Sequence, residues 1–321
     1  MYTQYEALTG TLRGACNTVT RLKKLLVIVD PDDDSDFVIE RAILLAFYGK
    51  ADVLLVMNKA NALPQHSDVQ PGLAARFFRS QKQLFTEHYQ ARLAALKTRF
   101  ETQGINTETY FTSDKNSADV ILRKIREFEP DMTLKSVQAT SALSRILITN
   151  TDWKLVKGCP TPLLLVKACP WAEDGAILTA VDPLHTKAQQ NQLDHLMLDT
   201  TVNLARSLQL NARVFHCYFP DLSAMFPKVV DAELYIREVR EIHWSKVKAL
   251  LGEHGLSEDQ ATLTRGDLIK TLSQTIRTAR ANILVLGALS RNAVESAIIG
   301  STAEKILYDT PCDVLIMKHN G

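Results

Sequence analysis

Short apolar runs alternate with longer, mixed stretches along the whole chain. Leu25-Leu26-Val27-Ile28-Val29 is bounded by Lys24 and by Asp30-Pro31. A run that short, closed by turn-forming residues, predicts a strand buried on both faces. The same reading predicts strands near 24–30, 52–57, 106–112, 131–135 and 162–167, and then near 176–181, 212–218, 259–264, 282–287 and 312–317. Helix-length segments fill the gaps, near 35–48, 73–103, 116–129 and 151–157, and again near 188–209, 231–254, 267–280 and 301–309. Strands joined by helical crossovers imply parallel sheets with helices on both faces, an α/β architecture.

The two series of elements are copies of each other. Leu25 to Pro31 (LLVIVDP) matches Ile177 to Pro183 (ILTAVDP), which places Asp30 and Asp182 at equivalent positions 152 residues apart. Near the far ends, Cys159 to Lys167 (CPTPLLLVK) matches Thr310 to Lys318 (TPCDVLIMK), so that Lys167 and Lys318 are equivalent and 151 residues apart. A near-constant offset over whole halves means tandem domains rather than a short-period solenoid. At 321 residues the chain is also too long for one ordinary core. The boundaries read as an N-terminal extension over 1–23, a first domain over 24–169 and a second over 175–321. A polar linker, Trp171-Ala172-Glu173-Asp174-Gly175, lies between them.

The stretch with most chemistry is Ile283 to Thr302. A strand ends at Gly287, Ala288-Leu289-Ser290 follow, nine residues separate Ser290 from Gly300, and Ser301-Thr302 open a helical pattern. Glycines admit close approach to the backbone, and the unpaired N–H groups of a helix N-terminus attract anions, so the stretch reads as a phosphate cradle. An ordinary strand-to-helix loop with Ser or Thr as the cap shares these residues.

This spacing resembles the nucleotide loop of the universal stress protein family, G-x-x-G, nine residues, then G-[ST]. Ser290 stands where the family has its second glycine. Thr151-Asp152-Trp153, the Cys159-Pro160 before a strand, and the Val166-Lys167 run that leads to Pro170-Trp171 extend the resemblance over nearly the whole chain, to tandem-domain members of the family. The resemblance implies two Rossmann-like domains of the adenine nucleotide alpha hydrolase type. Each would be a five-stranded parallel sheet flanked by helices, with the last strands of the two domains pairing antiparallel in an intramolecular pseudo-dimer. A homodimer of whole chains is a further possibility within the family. It also implies that ATP or another adenine nucleotide, with Mg as an optional companion, lies in the second domain. Asp182 would accept hydrogen bonds from the ribose, Ala180 and Val181 would flank the adenine, and Cys217 would pack on the base. Gly287, Ser290, Gly300, Ser301 and Thr302 would hold the phosphates. The first domain keeps Asp30 but places Lys135 where the second has Gly287. Its following segment is one residue longer and has no glycine before Gly158, so it reads as a scaffold or as a site for another ligand.

Composition narrows the remaining classes. A net charge of +1 favours neither nucleic acid nor an acidic membrane surface. No apolar run is long enough for a membrane span. The first 24 residues lack the apolar core of a secretion signal. Five cysteines, odd in number and without C-x-x-C, point to reduced thiols and a cytoplasmic setting. No Walker lysine, H-E-x-x-H or hydrolase elbow is present. His185, His195, His243 and His254 lack cysteine partners and read as solvated residues rather than zinc ligands. Asp30, Asp32, Asp33, Asp34 and Asp36 fail the calcium-loop pattern and are expected to cap a helix starting at Ser35. Proline-bearing stretches at 61–72 and 220–230 follow second strands; they are expected to pack against the next helix, with covering a ligand as the alternative. The leading expectation is a stress-response protein that acts through nucleotide-dependent shape or partner affinity. A slow ATPase or phosphotransferase, and a binding module for a non-nucleotide, acyl-bearing metabolite, are the alternatives.

Overall fold

The structure, a computed structural model, describes residues 22–31, 33, 36–59, 73–139, 146–147, 149–184, 188–220, 231–287 and 301–318. It divides into two compact units, Arg21–Cys169 and one that begins at Pro170. Residues 1–21, 61–72 and 221–230, together with Ser290 and Gly300, lie outside the described residues.

The first domain runs β1 (Lys24–Val29), α1 (Phe37–Gly49), β2 (Asp52–Asn58), α2 (Leu73–Glu101), β3 (Thr107–Thr112), α3 (Ser117–Phe128), β4 (Met132–Ser136), a small hairpin of β5 (Gln138–Ala139) and β6 (Ile146–Leu147), α4 (Asn150–Gly158) and β7 (Leu163–Val166). Its main sheet is parallel, in the order β7-β4-β1-β2-β3. The apolar run that predicted β1 is central and buried: Leu25, Leu26 and Val27 are fully inaccessible. Each such side chain contributes about 1.5–3 kcal/mol of burial. On α3, Ala118, Ile121, Leu122 and Ile125 form the buried stripe, while Arg123 and Glu127 sit on the exposed face. The chain winds outward from β1 to β3 and then crosses back to β4. The order therefore reverses between β1 and β4, and a crevice opens beyond their C-terminal ends.

Two sequence expectations change here. Asp36 occupies the N-cap position of α1, but its carboxylate makes no cap bond. It pairs instead with Arg99 of α2 at 2.7 Å, because a guanidinium offers a charged partner where the helix end offers only partial charge. The β5–β6 hairpin has no counterpart in the sequence reading, since two-residue strands are too short to carry a periodic signal.

The second domain runs β8 (Ala176–Ala180), α5 (Ala188–Leu208), β9 (Asn211–Tyr218), α6 (Ala232–Glu253), β10 (Ala261–Arg265), α7 (Leu268–Thr278), β11 (Ala281–Gly287), α8 (Ser301–Asp309) and β12 (Asp313–Met317). Its parallel order, β10-β9-β8-β11-β12, repeats the first domain's. The reversal falls between β8 and β11. The stretch read as a linker is stitched to the base of this sheet. Trp171 Nε1 donates to Asp313 Oδ2 at 2.8 Å, and Ala172 exchanges two hydrogen bonds of 2.8 Å with the Asn282 amide. Gly175 packs so closely on Asn282 that a Cβ would sit 2.3 Å from its Nδ2.

Candidate functional site

The crevice at the reversal in the second domain is a cavity of about 210 Å³. Its floor is apolar, made by Phe215, Leu272, Leu286 and Ile306, members of or neighbours to one buried cluster. Ala180, Val181 and Asp182 form the rim at the end of β8, and His216 and Cys217 form it at the end of β9. Gly287 closes it at the end of β11. The structure therefore brings together the sequence-predicted residues Ala180, Val181, Asp182, Cys217 and Gly287. Ser301 and Thr302 open α8, with their side chains outside the described set, as are Ser290 and Gly300.

Each rim residue is held by local chemistry. Val181 is fixed by its N–H to the Phe215 carbonyl at 3.0 Å, which continues the β8–β9 ladder one step past the strand. Asp182 is exposed and its backbone N–H donates to Asp194 Oδ2 at 3.2 Å. The Cys217 thiol donates to the Gly266 carbonyl at 3.3 Å and lies half-buried. Gly287 is small for a packing reason that the anion argument did not include. A Cβ there would lie 2.7 Å from Leu193 Cδ2 and 3.3 Å from Met197 Sδ, both on α5. The missing side chain lets α5 sit against the strand end and leaves the crevice open.

Two groups that the sequence reading missed complete the site. Asp194, on α5, is buried to 5% exposure and lines the cavity. Burial pushes its carboxyl up from 3.8 to about 7, with the Asp182 charge adding to the shift and the Asp182 N–H opposing it. His216 is 2% exposed and joins two partners: Nδ1 lies 2.9 Å from the Val181 carbonyl, and Nε2 lies 2.7 Å from Nδ1 of His243 on α6. A carbonyl only accepts, so His216 carries its proton on Nδ1. In the neutral pair Nε2 then accepts from His243. Burial holds the His243 pKa down, His216 adds to the effect, and Asp182 opposes it. His195 and His254 pair likewise at 2.9 Å, with His254 bonded to Asp199 at 2.8 Å. The expectation of solvated histidines fails for these side chains, because each finds a partner on another helix or strand. Among the described residues, no group of three or more His, Cys, Asp or Glu side chains is disposed to hold a metal.

The strand registers correct one sequence equivalence: Lys135 pairs with Leu165 as Leu286 pairs with Ile316, so Ser136 and not Lys135 is the counterpart of Gly287, and the segment from Ser136 to α4 is as long as that from Gly287 to α8. Lys135, one residue earlier, puts a buried cation at this end of the first domain's sheet. Lys135 is only 8% exposed. Its ammonium lies 3.1 Å from Asp152 Oδ1 and 3.9 Å from Asp30 Oδ2, and it donates to the Ser136 carbonyl at 2.8 Å. Asp152 is itself buried and is fixed by a capping box with Thr149 at the start of α4. Asp30, the counterpart of Asp182, faces an internal cation instead of an open crevice.

The model of the universal stress protein family matches residues 21–167 and again 176–318. The chain belongs to the universal stress protein family. Its curated relatives include Universal stress protein E of Escherichia coli K12, 25% identical over 92% of this chain and 94% of the relative. The Universal stress protein E homolog of Haemophilus influenzae is 23% identical over 93% and 98%. Among solved structures, a protein of Pseudomonas aeruginosa UCBPP-PA14 described as a universal stress protein superposes with a TM-score of 0.73 at 20% identity, over 94% of this chain and 95% of that one. A universal stress protein from Archaeoglobus fulgidus gives 0.63 at 15% identity, over 92% and 98%. At these identities the structural likeness speaks for the fold. This universal stress protein thus has two domains of one architecture, with different chemistry at the equivalent crevices.

Proposed function

We propose that this universal stress protein is a cytoplasmic, adenine-nucleotide-responsive binding protein whose site lies in the second domain, and that it acts through ligand-dependent conformation or partner affinity. The observation that carries the reading is the contrast between the two crevices. One is open, rimmed by Asp182 and closed by Gly287. The other is occupied by the Lys135–Asp152 pair. The residues of the open crevice suit such a ligand. The apolar floor offers a face for a base, and the exposed Asp182 carboxylate accepts hydrogen bonds from a ribose diol. Gly287 to Thr302 supplies glycines and a helix start for the phosphates, with any Mg carried on the phosphate oxygens. On this reading the domain boundaries are those of the repeat, the first domain is a scaffold, and binding shifts the population of two shapes only as far as ATP prefers one of them.

Calorimetry with ATP on the full chain tests this. The parent binds, and Gly300→Val, which puts a branched side chain into the cradle, abolishes binding while circular dichroism stays unchanged. ATP bound equally by parent and variant would remove the phosphate role from this loop. The apolar floor also suits an acyl or aromatic group of a non-nucleotide metabolite. Mass spectrometry of small molecules released from the purified protein separates that reading from this one. Turnover of labelled ATP distinguishes binding from slow hydrolysis.

A further inference from the structure

Asp194 lies at the junction of two hollows. One is the cavity beside Asp182. The other, of about 170 Å³, lies between α5 and α6 and is also lined by His195, Lys246 and Glu253. We propose that Asp194 is a positioning residue of the second-domain site: it fixes the main chain of Asp182, and it takes up a proton when an anionic nucleotide enters. The proposal rests on the nucleotide reading above and adds the regulation of that site.

The geometry carries the first half. Asp182 lies two residues past β8 and just beyond the last ladder bond, which Val181 makes. Its N–H points to Asp194 Oδ2 at 3.2 Å, from a helix that packs over β8, β9 and β11. The bond spans only 12 residues of sequence, yet it sets where the Asp182 carboxylate stands relative to the cavity. A neutral carboxyl and a carboxylate both offer an oxygen to that N–H, so the positioning survives protonation.

Electrostatics carries the second half. Asp194 and Asp182 are both acids at one rim, and Asp194 is the buried one. A ligand hydroxyl that donates to Asp182 bonds most strongly to its ionised carboxylate. The same ligand brings phosphate charge and displaces water from beside Asp194. Both effects penalise the Asp194 anion and favour its neutral form. The titratable groups that line the two hollows with Asp194 are Asp182 after β8, His216 and Cys217 on β9, His195 on its own helix, and Lys246 and Glu253 on α6; His243 stands behind His216. Asp182 is the one whose charge raises the carboxyl. Burial and the neighbouring His216 hold the His243 pKa below its ordinary value. The comparison with Asp194→Asn, which leaves His243 in place, assigns the dependence to Asp194.

The test compares ATP affinity of the full-length parent with Asp194→Asn by calorimetry from pH 6 to pH 8. The terminal phosphate of ATP titrates alike in both series, so the ratio of the two affinities isolates the protein group. Asn mimics the neutral carboxyl and keeps an acceptor for the Asp182 N–H. The two proteins should bind alike at pH 6, and the parent should fall behind by about tenfold at pH 8, the cost of a binding-competent form reduced to about a tenth. Parent binding at pH 8 should also take up close to one proton, read from the heat in buffers of different ionisation enthalpy, and Asp194→Asn should lose that uptake. Asp194→Leu, which deletes the acceptor, should bind more weakly than Asp194→Asn at every pH. A ratio that stays constant with pH while both proteins bind ATP would overturn the proton linkage and leave the nucleotide reading standing. Asp194→Leu binding like Asp194→Asn would overturn the positioning role. ATP bound by none of the three proteins at any pH would overturn the nucleotide reading, and this inference with it.

Discussion

Single ionisable residues tune the second domain in opposite directions. Asp194 has its folded-state pKa raised from 3.8 to about 7. Between those values the native state keeps a proton that the unfolded chain has lost. The group's contribution to stability is therefore full below about pH 4, falls as pH rises and is lost above about 7. Asp194→Asn carries no such cost. Its unfolding free energy at pH 8 should exceed the parent's by up to about 4 kcal/mol, at 1.36 kcal/mol per pKa unit, and should match the parent's at pH 4. Urea titrations at the two pH values check this. His243 runs the other way. Its folded pKa lies below 6.5, chiefly through burial, so its contribution is full above 6.5 and is lost as the pH falls through that range. His243→Asn keeps a donor for His216 Nε2 and should flatten the acid limb of the parent's stability curve below pH 6.5. Ser290, where the family spacing has glycine, makes a third residue-scale case. A serine that must take up the glycine-type backbone of the family's loop on binding phosphate pays about 1–3 kcal/mol, so Ser290→Gly should tighten ATP binding or, where the hydroxyl compensates, leave it unchanged in calorimetry.

At the scale of elements, the first domain's crevice is tied shut by three pieces of secondary structure at once. Lys135 comes from the end of β4, Asp30 follows β1, and Asp152 belongs to the first turn of α4. Asp152→Ala removes both the near partner of a buried ammonium and half of the capping box. A buried charge left without its partner costs about 3–5 kcal/mol. Thr149→Ala removes the cap oxygen and leaves the ion pair, which costs about 1 kcal/mol. Thermal unfolding should rank the two in that order, and equal effects would assign the role to the cap instead of the pair. The same elements show what was legible beforehand. β1 and β11 were readable because runs such as Leu25 to Val29 are apolar on both faces, and α3 because its apolar positions recur at helical spacing. Asp182 and Gly287 were readable because they sit where such runs stop. Asp194 was not, since nothing in a helical Leu193-Asp194-His195 says that the carboxylate turns inward to a backbone N–H after β8. His216 and His243 lie 27 residues apart and meet only when α6 folds over β9. The Asp36 cap failed for a similar reason, because Arg99, 63 residues away, competes for the same carboxylate.

At the scale of the whole molecule, duplication has given two domains of the same strand order and unequal chemistry at the strand ends, and the inequality should be hard to reverse. Deleting the Lys135 side chain opens space beside Asp30, yet it leaves Asp152 buried at 1% exposure without its cation. That replaces a compensated pair with an uncompensated anion, the opposite of what a phosphate needs. The segment that follows still lacks any glycine between 135 and 158, so its backbone gains no freedom to approach an anion. Lys135→Gly should therefore destabilise the first domain without creating a nucleotide site, and Lys135→Gly with Asp152→Asn should relieve the charge and still create none. Calorimetry on the intact chain should give one ATP per chain for the parent and for both of these variants, and none for Gly300→Val. Two equivalents of ATP in the parent, of which Gly300→Val keeps one, would place a nucleotide in the first domain and show that a lysine ion pair at the end of β4 does not exclude it.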